Sequence, residues 1–210
     1  MIFDVWQAGV SFYESVVILL FYVFAVLSAL ILHEVAHGWV AYRCGDPSPK
    51  YAGRLSLNPA RHLDAMGTVC FILLGFGWAK PVPINPHNFR HPKRGCALVA
   101  LAGIMTNLLL AFVASFFYVL LVDTVWGYLF MFIMLINIVF ATFNLLPIAP
   151  LDGFNLIAAL FPNSGYVRFM RQNYGVAMLI LLVIIYFTDV LGIMQNWLCS
   201  VFLDFWQLIL

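Results

Sequence analysis

Charge is what this sequence has least of. Only 9% of its 210 residues are Asp, Glu, Lys or Arg, against roughly 25% in a soluble domain. Hydrophobic residues make up 64% of the chain, and its mean hydropathy is +0.99. That composition excludes an ordinary water-soluble globule and requires most of the length to lie in a bilayer. The formal net charge is +1, which argues against nucleic acid as a partner. No Lys or Arg precedes Arg43, so the start lacks the basic region of a cleaved signal peptide. Cys44, Cys70, Cys96 and Cys199 stand far apart with no C-x-x-C pair. That spacing excludes a zinc knuckle and a disulfide framework. Repeats, low-complexity tracts and long linkers are also missing. One domain over residues 1–210 is expected, with a core at about 12–161 and closing helices at about 174–210.

Set in this apolar background is Leu32-His33-Glu34-Val35-Ala36-His37-Gly38. On a helix His33 and His37 are four residues apart and share a face. Two neutral imidazoles so placed can hold zinc, and Glu34, beside the first, can act as a base on water activated by the metal. A five-residue pattern is weak by itself. Its position strengthens it, because residues 12–32 are almost entirely apolar and ionisable groups at the end of such a span are costly and usually functional.

The rest of the chain reads as an all-α polytopic membrane protein of about five to six membrane helices. The first span covers residues 12–42, and Gly45-Asp46-Pro47-Ser48-Pro49 breaks it. Residues 50–58 read as a short strand or β hairpin ended by Pro59. Asp64 is placed to cap a helix over residues 65–74. Further spans follow at 95–122 and 126–146, a short helix runs to 161, and closing spans occupy 176–187 and 193–210. Basic residues gather in the loops 43–61, 80–94 and 168–171, and are missing from the turns at Asp123 and Asp189. The positive-inside rule puts those three loops in the cytoplasm. Both ends of residues 65–78 then lie inside, so that stretch is expected to be re-entrant, as backbone buried in protein or lining a wet cavity can be.

A third zinc ligand has one strong candidate. Asp152 and Glu34 are the two acidic residues lying well within apolar stretches. Taken alone, Asp152 reads equally as the cap of a helix starting at Gly153. The orientation places it toward the inner end of its span, as it does His33 and His37. Asn144, about two turns earlier, reads either as a donor to a substrate carbonyl or as an inter-helix hydrogen bond. Gly103 and Asn107 read as a helix-packing pair. His62 and His87 lie in basic loops and read as surface histidines.

His33-Glu34-Val35-Ala36-His37, together with Asn144-Leu145-Leu146-Pro147 and Leu151-Asp152-Gly153, resembles the site-2 protease family of intramembrane zinc metalloproteases. Ala102-Gly103 with Asn107 resembles the small-residue motif of that family's middle core helix. The run from Gly77-Trp78 through Lys80-Pro81-Val82-Pro83 to Asn85-Pro86 looks like the compact bacterial branch without accessory domains. Ala149 and Ile104 stand where the family often has proline, and neither change removes a ligand.

The resemblance implies one zinc per chain, held by His33, His37 and Asp152, with Glu34 as general base. It implies a multi-pass protein of a bacterial plasma membrane, its active site toward the cytoplasm. Its partners would be the lipid bilayer and a transmembrane protein substrate. A spanning helix hides its peptide bonds, so hydrolysis needs local unwinding, and an edge such as residues 54–57 can hold an unwound segment. Two other readings belong to different classes. A catalytically silent relative that binds membrane proteins has no use for Glu34. A metal transporter needs several ligand sites strung across the bilayer, where this chain offers one cluster.

Overall fold

The computed structural model describes residues 11–67, 69 and 80–209. Helix α1 (Phe12–Cys44) starts at a capping box. Glu14 N donates to Ser11 Oγ, and the Glu14 carboxylate accepts from Ser11 N at 2.9 Å. It stops at Gly45, whose φ of +116° suits the left-handed position that ends a helix. Helix α2 (Ser48–Tyr51) is a single turn. Helix α3 (Pro92–Leu121) opens on a proline, whose missing N–H would have no partner there, and α4 (Val125–Leu145) is capped by Thr124. Four shorter or more polar helices follow: α5 (Asp152–Leu160), α6 (Gly165–Gln172), α7 (Tyr174–Phe187) and α8 (Val190–Ile209).

α1, α3 and α4 pack on one another, and α5 packs against α3. The packing is the reverse of a soluble bundle. α3 turns Gly103, Asn107, Ala111, Ala114 and Ser115 inward. Its large residues Leu98, Met105, Leu109, Val113 and Phe117, spaced along the other face, are 38–62% exposed. Small residues let helix backbones approach where lipid, not water, bathes the outside. α1, α3 and α4 are each long and apolar enough to cross a bilayer, and the chain is an integral membrane protein.

Two expectations need correction. Among the described residues no strand forms, and the expected β hairpin is replaced by α2 and irregular chain. The cause is local: the Asp46 carboxylate accepts from Ser48 N and Oγ, folding the chain into a turn just where a strand would begin. The five to six spans are not reached either. Among the described residues three helices qualify, and a fourth only if α6 and α7, bent by 97°, count as one. α7 alone is about 21 Å long, short of a 30 Å crossing. α8 carries Gln195, Asn196, Asp204 and Gln207.

The expected re-entrant segment lies mostly outside the described residues, and hydrogen bonds tie its flanks together. Arg90 N donates to Cys44 O at 3.0 Å, and Lys80 N donates to His62 O at 2.8 Å. The chain therefore leaves the end of α1 and comes back to it before α3 begins. The Asp64 cap is present, with Gly67 N on Asp64 Oδ1 at 2.9 Å.

Candidate metal centre

His33 and His37 project from the last third of α1 into the junction with α3. Both are buried. His33 fits only because position 103 is glycine: a Cβ there would stand 2.6 Å from His33 Nε2 and 2.7 Å from Nδ1.

Hydrogen bonding decides which ring nitrogen carries each proton. Asn137 Nδ2 donates to Ile133 O at 2.8 Å, which leaves Asn137 Oδ1 facing Asn107. Asn107 Nδ2 donates to that oxygen at 2.7 Å and to Ala29 O at 3.3 Å. With both amide hydrogens so used, Asn107 presents Oδ1 to His33 Nδ1, 2.5 Å away, and the histidine must be the donor. His37 Nδ1 lies 2.7 Å from Val99 O, a pure acceptor, so it donates too. In the neutral rings both Nε2 atoms are therefore left as lone pairs.

Those lone pairs converge. The two Nε2 atoms are 2.9 Å apart, and each is 3.1 Å from Asp152 Oδ2. Asp152 Oδ2 is buried with no hydrogen-bond donor of its own. With neutral rings, three acceptors this close repel unless a cation, a proton or a metal ion, lies between them. A tetrahedral zinc with bonds of about 2.1 Å sets its ligands roughly 3.4 Å apart, about 0.3–0.5 Å wider than these separations. The donor set of two imidazoles and one carboxylate suits that ion, and the residues fit it.

Asp152 reaches this point through a tight junction. Pro147 ends α4, and Asp152 opens α5. A Cβ at position 153 would stand 2.6 Å from the carbonyl oxygen of Leu146, so Gly153 lets α5 seat on the end of α4. The capping alternative fails: the N-cap of α5 is Leu151, and no side chain caps that end.

Glu34 and Asn144 line the same cavity, of about 480 Å³, with His33, His37 and Asp152. Asn144 spends one amide hydrogen on Phe140 O at 3.0 Å, inside its own helix. Val82 and Phe89 form part of the far wall. They belong to residues 80–91, which Asp46 pins to the end of α1 by accepting from Asn85 N at 2.7 Å and Asn88 Nδ2 at 2.8 Å. Burial of Asp46 works against its charge, but these bonds and those from Ser48 outweigh it and hold the carboxyl below its usual range.

Sequence reasoning missed three residues here. Asn107 is no mere packing residue, since it sets the His33 tautomer. Its position four residues after Gly103, on the helix facing His33, was the available signal. Asp46 looked like a helix breaker and is a fully buried anchor. His62 is fully buried rather than at the surface, with Nε2 on Ser56 O at 2.6 Å. Neither it nor the exposed His87 joins the metal-type cluster.

No family model matches the sequence, and no solved structure matches it. Two named bacterial proteins do. "Putative zinc metalloprotease YwhC" of Bacillus subtilis is 38% identical over 164 residues, covering 73% of this chain and 75% of its own. "Putative zinc metalloprotease Rip2" of Mycobacterium tuberculosis is 33% identical over 144 residues, covering 65% of this chain and 54% of its own. With the first of these matched across most of both chains, this chain belongs to the site-2 protease family of zinc metalloproteases.

Proposed function

We propose that this chain is an intramembrane zinc endopeptidase. It hydrolyses peptide bonds in or near the transmembrane segments of other membrane proteins, in a bacterial plasma membrane. The observation that carries the reading is the convergence of His33 Nε2, His37 Nε2 and Asp152 Oδ2, each within 3.1 Å of the next, in one cavity with Glu34. The kinship with named metalloproteases and the three long apolar helices support it.

His33, His37 and Asp152 would hold one zinc per chain. When bound, zinc supplies Lewis acidity, lowering the pKa of water to about 7 and polarising a carbonyl. The chain's own groups do the rest. Glu34 takes a proton from water as that water adds to the peptide carbonyl, then returns it to the leaving amine nitrogen. The second amide hydrogen of Asn144 is free to reach a substrate carbonyl in the cavity. Asn107 and Val99 O hold the imidazoles in the tautomer that keeps Nε2 available.

The basic loops 43–61, 80–94 and 168–171 support a cytoplasmic orientation of this cavity, the side from which water would enter. The substrate is a spanning helix that must unwind to expose its backbone. Nucleic acid has no part in this reading. A silent binding relative would keep the metal but has no task for Glu34.

The test is a reconstituted cleavage assay on a transmembrane substrate, run beside metal analysis. Glu34→Gln should keep zinc and lose hydrolysis by at least about a hundredfold, the low end for general acid–base catalysis. Asp152→Asn should instead lose zinc affinity, since a neutral amide oxygen replaces a carboxylate. Wild-type cleavage by Glu34→Gln would discard the mechanism.

A further inference from the structure

Beyond the zinc cavity, the end of α1 opens onto a second cleft. It holds about 680 Å³ and is lined by Trp39, Tyr42, Arg43, Lys50, Gly53 and Arg61, with Leu55 and Ser56. Three side chains in it are cationic and none is acidic. Among the described residues, neither Arg43, Lys50 nor Arg61 pairs with a carboxylate.

The three cations are nevertheless held in place. The Arg43 guanidinium lies 4.6 Å from the centre of the Trp39 ring. Lys50 Nζ lies 5.2 Å from the Tyr42 ring centre and donates to its hydroxyl at 3.4 Å. Arg61 Nη1 donates to Gly53 O at 3.1 Å. Gly53 has a φ of +66°, and a Cβ there would run into Arg61 Nη1, so this approach needs glycine. Aromatic faces and a backbone carbonyl orient the cations without neutralising them. Their full charge is left for an outside anion, and part of their ordering is done in advance.

Depth identifies the anion. With the polar Glu14 and Ser15 of its first turn in the opposite headgroup layer, α1 crosses about 30 Å of hydrocarbon between Val16 and about Ala36. Trp39 and Tyr42 lie roughly 5–9 Å farther along the axis, at headgroup level. Both are exposed, at 51% and 39%, as aromatic residues at a membrane interface are. A basic cleft at that level, between protein elements, meets lipid phosphates before any other anion.

We propose that this cleft binds the headgroup of an anionic phospholipid, with Arg43 and Arg61 on the phosphate and Lys50 beside it. Arginine suits this role because its planar fork donates two parallel hydrogen bonds to phosphate oxygens. The proposal rests on α1 crossing the bilayer and is independent of the protease reading.

Native mass spectrometry of the full chain in detergent tests it, with phosphatidylglycerol, phosphatidylcholine, inorganic phosphate and a soluble glutamate-rich peptide as probes. One phosphatidylglycerol should be retained, at least about tenfold more tightly than phosphatidylcholine. Arg43→Gln combined with Arg61→Gln should weaken it by roughly tenfold or more. The control pair Lys93→Gln with Arg168→Gln, exposed cations that do not line the cleft, should leave retention unchanged. Gly53→Ala, which displaces Arg61 without removing a charge, should weaken it as well. Equal retention of both lipids, equal loss in the control pair, or preference for free phosphate or the peptide would overturn the proposal.

Discussion

Nδ1 of His33 donates to Oδ1 of Asn107 across 2.5 Å, and Asn107 can only accept because Ala29 O and Asn137 Oδ1 take both of its amide hydrogens. This ladder joins α1, α3 and α4 at the candidate metal centre. Asn107→Ala should leave the fold intact and weaken zinc affinity about 10–100-fold, the usual cost of losing the partner that orients a ligand. Competition with a chelator of known affinity measures it. An unchanged affinity would remove Asn107 from the site.

Gly103 should tolerate no larger residue. In Gly103→Ala the new methyl runs into the His33 ring, so either the imidazole or α3 must move. The expected cost is about 1–3 kcal/mol of stability, with loss of bound zinc. Gly165→Ala, with nothing within 4 Å of the new atom, serves as the comparison and should be near neutral. Thermal unfolding and metal analysis of the two variants decide it.

Asp46 gives a pH dependence whose direction can be worked out. Its carboxyl titrates lower in the folded chain than the roughly 3.9 of an unfolded aspartate. The stability it contributes is therefore fully present above that unfolded value and is lost as pH falls through the folded one. Asp46→Asn keeps the size of the side chain but loses the charge and sets an amide donor against the donors from Ser48, Asn85 and Asn88. The variant should be less stable by about 1–3 kcal/mol at pH 7, and the gap should narrow below about pH 4. A gap that stays constant from pH 7 to pH 3 would mean that the carboxylate charge is not what anchors residues 80–91.

Topology is open to labelling. Arg90 N bonds to Cys44 O, so positions 50 and 93 are expected on one side of the membrane. Single cysteines placed at 50, 93 and 168 in a cysteine-free chain should label from the cytoplasmic face, and one at 123 from the other. Labelling of 50 and 93 from opposite faces would contradict both the fold and the charge distribution.

The membrane class and the three long helices follow from composition and run length. Hydrophobicity that would be insoluble in water leaves few alternatives, and backbone groups in lipid must pair within a helix. His33, Glu34 and His37 were likewise legible, because four residues along a helix is a fixed geometric relation. Asp152 was visible as a misplaced acid, read equally as ligand or cap by itself and favoured as a ligand by the orientation of its span and the family resemblance. That choice depends on how α5 seats on α4 over Gly153, 119 residues away from His33 in the case of Asp152 itself. The chain folding also decided the failures. The expected strand at residues 50–58 lost to side-chain hydrogen bonds on Asp46, a local competition that hydrophobic pattern does not register. His62 is buried by loop packing that its polar neighbours conceal. The tautomers of His33 and His37 rest on Asn107, Asn137 and Val99, which come from two other helices. A sequence names the imidazoles, but only the meeting of three helices determines which nitrogen is left to face Asp152.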